Sequence, residues 1–262
     1  MDSAPLTLGQ TLRLGLIGLF VFFGIWLLLP TAGLVPPSFL PSPIAVAERV
    51  ATLTTEPFAG ATLPAHIAYS FTRFIAGFAL AALIGIPLGL MMGWFRLVDE
   101  IVSPIFDGLR FIAPIAWVPF AALWFGTGIG GPVMIIFAGA FPPCVINAYR
   151  GARQVDRRLV EAAEMLGTGH FRMIVDILLP ASVPSLVAGL RVAAGLGWQS
   201  LVGAELIVAS TGVGFMMVQA QANVATSTVM AGMVAIGIVG LAIDMALRWT
   251  EASIRRHRGL DG

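Results

Sequence analysis

Six stretches of this chain, about residues 14–29, 74–94, 105–125, 132–149, 181–209 and 229–249, are apolar over close to the length needed to cross a bilayer. A helix needs roughly 20 mostly apolar residues to span about 30 Å of hydrocarbon. Only 11% of the 262 residues are charged, where a soluble domain carries roughly 25%. Apolar residues in such excess cannot all be hidden in one water-facing core, so the solvent of most of the chain is lipid. The expected fold is all-α: a polytopic membrane protein of six transmembrane helices. The third stretch is the most interrupted, by Asp107, Arg110, Pro114 and Pro119, and is expected to be broken or partly outside the bilayer. The first is read as a retained span rather than a cleaved leader, since its loss would leave five spans and an odd topology.

Arginine sets the expected orientation. Loops on the cytoplasmic side are enriched in basic residues. With both termini inside, the inner pieces carry Arg13, Arg96, the group Arg150, Arg153, Arg157, Arg158 and Arg172, and the tail Arg248, Arg255, Arg256 and Arg258. The outer pieces carry Arg49 and Arg73, and residues 210–228 form an uncharged outer loop. The chain is divided into residues 1–65 (first span and periplasmic connection, with a short helix near 44–53), 66–250 (the membrane domain, with a polar loop at 151–180) and 251–262 (a cytoplasmic tail). The location implied is the bacterial inner membrane.

Several functions are excluded early. The chain has no lysine; all fifteen basic residues are arginine. A phosphate-binding P-loop needs its lysine, so any ATP hydrolysis belongs to another chain. The net charge of +1 gives no reason to expect nucleic acid, and the single cysteine, Cys144, can make neither an internal disulfide nor a thiolate metal cluster. No HExxH and no paired aspartates suggest an intramembrane enzyme.

Within the spans two patterns stand out. Gly77, Ala81, Gly85, Gly89 and Gly93 recur every fourth residue, a stripe of small residues down one helix face. Such stripes let helix backbones approach closely in lipid. Arg191, Glu205 and Asp244 are ionisable residues at membrane depth, which normally face a bundle interior or a water path. Fourteen residues put Arg191 and Glu205 about 21 Å apart along one helix, so they need separate partners. An interhelical pair is the first reading of Arg191 and an anion-path lining the second. Asp244 lies near the cytoplasmic end.

The 151–180 loop is the most polar part of the molecule. Asp156 is placed to cap a helix in which Leu159, Ala163 and Leu166 share an apolar face, and Gly167 suits the left-handed residue that ends it. Thr168 is placed to cap a second short helix carrying Phe171, Ile174, Val175 and Leu178, and Pro180 marks entry to the fifth span. Two amphipathic helices at an angle, without partners for their apolar faces, mark an interface.

The run Glu161-Ala162-Ala163, three residues, Gly167, nine residues, Ile177, one residue, Leu179-Pro180 resembles the coupling-helix signature of binding-protein-dependent ABC permeases at every position. The resemblance extends from about residue 66 to the C-terminus. Leu88-Gly89, Ile115-Ala116-Trp117-Val118-Pro119, Leu123-Trp124-Phe125-Gly126, Gly189-Leu190-Arg191, Gly195, Gly197-Trp198, Ala204-Glu205-Leu206-Ile207 and Gly212-Val213-Gly214-Phe215 look like the sulfonate, taurine and nitrate branch. Phe111-Ile112-Ala113 and Gln199 depart from it. The resemblance implies a type I ABC importer permease fold and import of a small organic anion, taurine or another aliphatic sulfonate. Nitrate, bicarbonate, an aromatic acid or a thiamine precursor are the alternatives within the family; an ion-coupled secondary transporter is the rival from another class. It also implies partners: two ABC ATPase subunits holding ATP and Mg, a second copy of this chain, and a periplasmic substrate-binding protein. The chain itself would be a translocase component, not an enzyme, with no cofactor of its own. Glu161, Ala162, Ala163, Gly167, Ile177, Leu179 and Pro180 would engage the ATPase. Arg110, Arg191, Gln199, Ser200 and Glu205 would line the path, with Met216 and Met217 gating its outer side.

Overall fold

The computed structural model describes residues 8–126 and 128–257; Arg258, the end of the expected tail and the side chain of Arg255 lie outside the described residues. The described residues are mostly helical, and residues 32–42 form an eleven-residue connection outside the helices. Helices α1 (Leu8–Thr31), α2 (Pro43–Thr55), α3 (Leu63–Trp94), α4 (Arg96–Leu109), α5 (Val118–Phe125), α6 (Gly130–Arg153), α7 (Arg157–Met165), α8 (His170–Met173), α9 (Leu179–Ile207), α10 (Val213–Ala222) and α11 (Thr226–His257) follow one another. Five helices are long and apolar enough to span a membrane, or six when a bent pair is counted as one span.

The third apolar stretch falls in that pair, and it is broken as expected. Arg96–Leu109 and Pro114–Phe125 are bent by 85°. The physical cause sits in the break: the residue before a proline is driven out of the α region, and Ala113, before Pro114, has ψ 139°. The 3₁₀ turn Pro114–Trp117 then leads into α5.

Three expectations are corrected. Residues 210–228 are not a loop but contain α10, a helix without charges whose apolar and amide residues show no clear period. The helix of the fifth span starts before 181: His170–Met173 runs into it through a π-helical turn, Ile174–Leu178, so residues 171–207 form one apolar helical stretch, longer than the roughly 20 residues a crossing needs. Pro180 explains the wide turn. It has no N–H to give the Asp176 carbonyl, and the π turn, in which the Leu179 N–H reaches back to Ile174, takes up the mismatch. Thr168 does not cap the second helix. Its N–H donates to the Ala163 carbonyl and that of Gly167 to Glu164, while the Gly169 carbonyl accepts from Met173. These bonds close a Schellman turn, for which Gly167 holds φ +75°.

The chain divides into two compact units, Met1–Leu63 with Met216–Ala235, and Pro64–Phe215 with Ile236–Gly262. In the first, Ser42 caps α2 ahead of Pro43, and the Arg49 guanidinium donates to the Thr228 hydroxyl at 2.8 Å. Trp26 Nε1 donates to the Pro41 carbonyl at 3.0 Å.

In the second unit α3, α6 and α9 form the core. The small-residue stripe lies against α6. A Cβ on Gly77 would meet Ile136, on Gly85 Cys144, on Gly89 the Val145 carbonyl, and on Gly93 Ala152. Phe74, Ile136, Ala194, Trp198 and Leu201 pack together toward the start of α6, away from the coupling motif's root. That root is itself packed: Leu178 and Leu179 sit with Leu90, Ala148 and Ala152.

Candidate functional site

The motif at 161–180 is split by exposure. Asp156 accepts from the Arg158 N–H and starts α7. Glu161 and Ala162 are exposed, and Glu161 carries only a solvent-facing pair with Arg157 at 3.1 Å, an arrangement that contributes little. Ala163 is buried. Around the Gly167 turn Leu159, Met165, Leu166 and Phe171 stand 55–86% exposed. Ile177, Leu179 and Pro180 are half-buried, at the root. One end of the motif is therefore an apolar tip without cover among the described residues, and the other is fixed in the α6 core. Between them lies a π turn.

Three of the five proposed path residues come together. Arg110, Gln199 and Ser200 line a cavity of about 360 Å³ with Gly139, Leu196 and Gly203. Leu196, Gln199, Ser200 and Gly203 share one face of α9 by helical spacing. Arg110 is delivered by the break: it is the C-cap of α4, held by Asp107 at 2.9 Å and lying over the Phe111 ring at 4.9 Å. The remaining walls are Ile112, Ile115 and prolines of α6. The Ser200 hydroxyl donates to the Leu196 carbonyl at 2.7 Å, so the donors facing this largely aliphatic cavity are the Arg110 guanidinium and the Gln199 amide.

Arg191 lies elsewhere. Its Nε contacts Asp244 at 2.8 Å and its Nη1 contacts Glu251 at 3.6 Å, and Asp244 also holds Arg248 at 2.7 Å. The interhelical pair is thus the geometry found. A separate cavity of about 200 Å³ beside it shares Gln199 with the first.

Glu205 points away from both. It is 1% exposed, on the α9 face of Trp198 and Leu201. It accepts from Arg73 Nη1 at 2.8 Å, from the Ser70 hydroxyl at 2.8 Å and from the Gly214 N–H at 3.0 Å. Arg73 also donates to the Thr211 carbonyl and hydroxyl, and His66 Nδ1 accepts from Gly212. Arg73 is therefore buried inside α3, not in an outer loop. Met216 is likewise fully buried. The cluster was missed in the sequence, although His66, Ser70 and Arg73 fall at i, i+4 and i+7 on one face of the helix. Among the described residues no group of three or more His, Cys, Asp or Glu is placed to hold a metal.

Comparison with known proteins matches residues 85–256 to the family model for the binding-protein-dependent transport system inner membrane component. The chain is 35% identical over 256 residues to the taurine transport system permease protein TauC of Escherichia coli, covering 97% of this chain and 92% of that one. It is 34% identical to the nitrate import permease protein NrtB of Synechocystis, covering 83% and 81% of the two chains. It is 32% identical to the bicarbonate transport system permease protein CmpB of Synechococcus elongatus, covering 93% and 90%. Among solved structures, a permease-fold chain of the inward-facing MetNI methionine ABC transporter superposes with a TM-score of 0.64. Identity there is 16%, over 73% of this chain and 95% of that one.

Proposed function

This chain belongs to the family of binding-protein-dependent transport system inner membrane components, as an ABC-importer permease, and from that premise we propose that it carries a small organic anion, taurine or another aliphatic sulfonate, into the cytoplasm. The observation that carries the proposal is the cavity of Arg110, Gln199 and Ser200. Arg110 meets a sulfonate head, Gln199 offers an acceptor to an ammonium, and the aliphatic wall covers the two-carbon link. The likeness to a taurine permease supports it. Nitrate and bicarbonate form the second reading, on the strength of the relatives named for them; both are planar oxyanions with no link to cover, and leave the aliphatic wall unused.

The ion-coupled alternative finds less support. A proton- or cation-coupled carrier needs an in-span carboxylate that can release its partner. Glu205 and Asp244 are each held by arginine.

In the proposed mechanism two copies of the chain pair, and each receives one ATPase subunit on Leu159, Met165, Leu166 and Phe171. The binding protein delivers cargo on the opposite face. ATP and Mg are held by the ATPases and supply hydrolysis. Their closure displaces α7 as a lever, Gly167 keeps the lever's angle, and Ile177, Leu179 and Pro180 pass the displacement into α9. Differential contact of the tip with the two ATPase states is what biases the bundle between its two access states.

The test is uptake of labelled taurine in cells lacking this chain, then restored with the native chain or with Gly167→Pro. Proline cannot adopt φ +75° and removes the N–H given to Glu164, a local cost of about 3 kcal/mol or more. Restored uptake with the native chain, and at least tenfold less with the variant at equal membrane level, is the expected result. Native restoration of nitrate but not taurine uptake would falsify the sulfonate reading.

A further inference from the structure

Arg110 borders more than one space. Besides the Gln199–Ser200 cavity it lines a second, of about 260 Å³, with Asp107, Ser103, Tyr149 and Arg150. That second cavity lies further along α6: from Gly139 to Arg150 is about 16 Å of helix. Two arginines against one carboxylate leave it an excess of one positive charge. The nearby Asp99 does not cancel this, since it is matched by Arg153 at 2.8 Å and also accepts from Ser103 and Tyr149. Among the described residues Arg150 has no ion-pair partner, whereas Arg110 is held by Asp107. The end of α6 favours a basic residue through its dipole, and that accounts for the sign of Arg150. It does not account for a void beside it with Ser103, Asp107 and Tyr149 in its wall, nor for an arginine shared with the cavity above.

We propose that the space between Arg110 and Arg150 is a second anion site, in series with the Gln199–Ser200 cavity, which receives the cargo's oxyanion head from Arg110 on its way inward. It rests on the reading that the cargo carries an anionic head, as zwitterionic taurine does. Asp107 is the resident competitor: it holds Arg110 between passages, so the guanidinium exchanges one carboxylate for one cargo head and neither state leaves it bare. Arg150 offers the next positive charge, and its exposure opens the site toward the Arg153 end of α6.

The experiment uses Ile146→Cys, in the wall of this second cavity, in the complete transporter in membrane vesicles. The native thiol Cys144 is 2% exposed and gives a silent background. Labelling rates are compared for a negatively charged and a positively charged methanethiosulfonate of similar size, each normalised to its rate with a free thiol. The expected result is about a tenfold preference for the anionic reagent, most of it lost on adding Arg150→Gln, and slowing of the label by millimolar taurine. Ser103→Cys on the opposite wall repeats the measurement should Ile146→Cys fail to fold. Equal rates for the two reagents, or a preference indifferent to Arg150, overturn the site. Protection by nitrate and not by taurine supports the site and removes the sulfonate reading instead.

Discussion

Gly89→Val is expected to abolish accumulation of the folded chain. A Cβ at this position would strike the Val145 carbonyl oxygen and come within 2.7 Å of the Ala148 Cβ. Neither neighbour is the end of a flexible side chain, so relief requires α3 and α6 to separate. The glycines above and below resist this, because Gly85 and Gly93 make the same approach to Cys144 and Ala152. Overpacking a core commonly costs roughly 1–3 kcal/mol, and a branched side chain against backbone falls at the upper end, about 3 kcal/mol. The close packing that replaces hydrophobic drive in lipid would be lost with it. Gly108→Ala is the control. It lies within α4, and nothing stands within 4 Å of the place its methyl would take, so a gain of about 0.5–1 kcal/mol is expected from the better helix former. Detergent-solubilised yield and thermal midpoint by size-exclusion chromatography separate the two variants. Equal yields for Gly89→Val and the native chain would sink the packing account.

The same stripe shows how much of the fold is legible in a sequence and where legibility stops. A period of four in small residues names a packing face before any partner is known. Span existence follows from hydropathy because each span is a local sum. The broken third span was readable for the same reason: Asp107, Arg110, Pro114 and Pro119 are local insults to a helix in lipid. Gly167 was readable because a left-handed residue after an apolar turn has few substitutes. What escaped is what depends on register between distant elements. Arg73 and Glu205 are 132 positions apart, and no local signal says that the same-face residues of α3 meet the far face of α9. Arg191 could be seen to need a partner, but not that Asp244 would be it. The π turn escaped for a different reason: Pro180 announces a mismatch, and whether the helix ends or widens is decided by Leu178 and Leu179 packing on α6. Helix α10 escaped because its apolar and amide residues give no period to detect.

The Arg73–Glu205 pair carries the second large expected effect. Arg73→Ala leaves a carboxylate at 1% exposure with only the Ser70 hydroxyl and the Gly214 N–H to stabilise it. Removing one partner of a buried pair typically costs about 3–5 kcal/mol, and Glu205→Ala should cost a similar amount by stranding the guanidinium. The double variant Arg73→Met/Glu205→Leu strands neither charge, so it should recover most of the loss, as replacement of buried pairs by apolar residues often does. The charge swap Arg73→Glu/Glu205→Arg should not recover it. The site is asymmetric: Glu205 accepts from the Gly214 N–H, and Arg73 donates to the Thr211 carbonyl. After the swap a guanidinium would face an N–H and a carboxylate would face a carbonyl. Thermal midpoints of the four variants check this, and the single variants Arg73→Met and Glu205→Leu close the double-mutant cycle for the apolar pair. Recovery by the swap would mean that the pair acts only through net charge. Recovery by the apolar double alone would mean that the swap fails on the fixed polarity of the Thr211 carbonyl and the Gly214 N–H, and that a stranded charge is what makes the single variants costly.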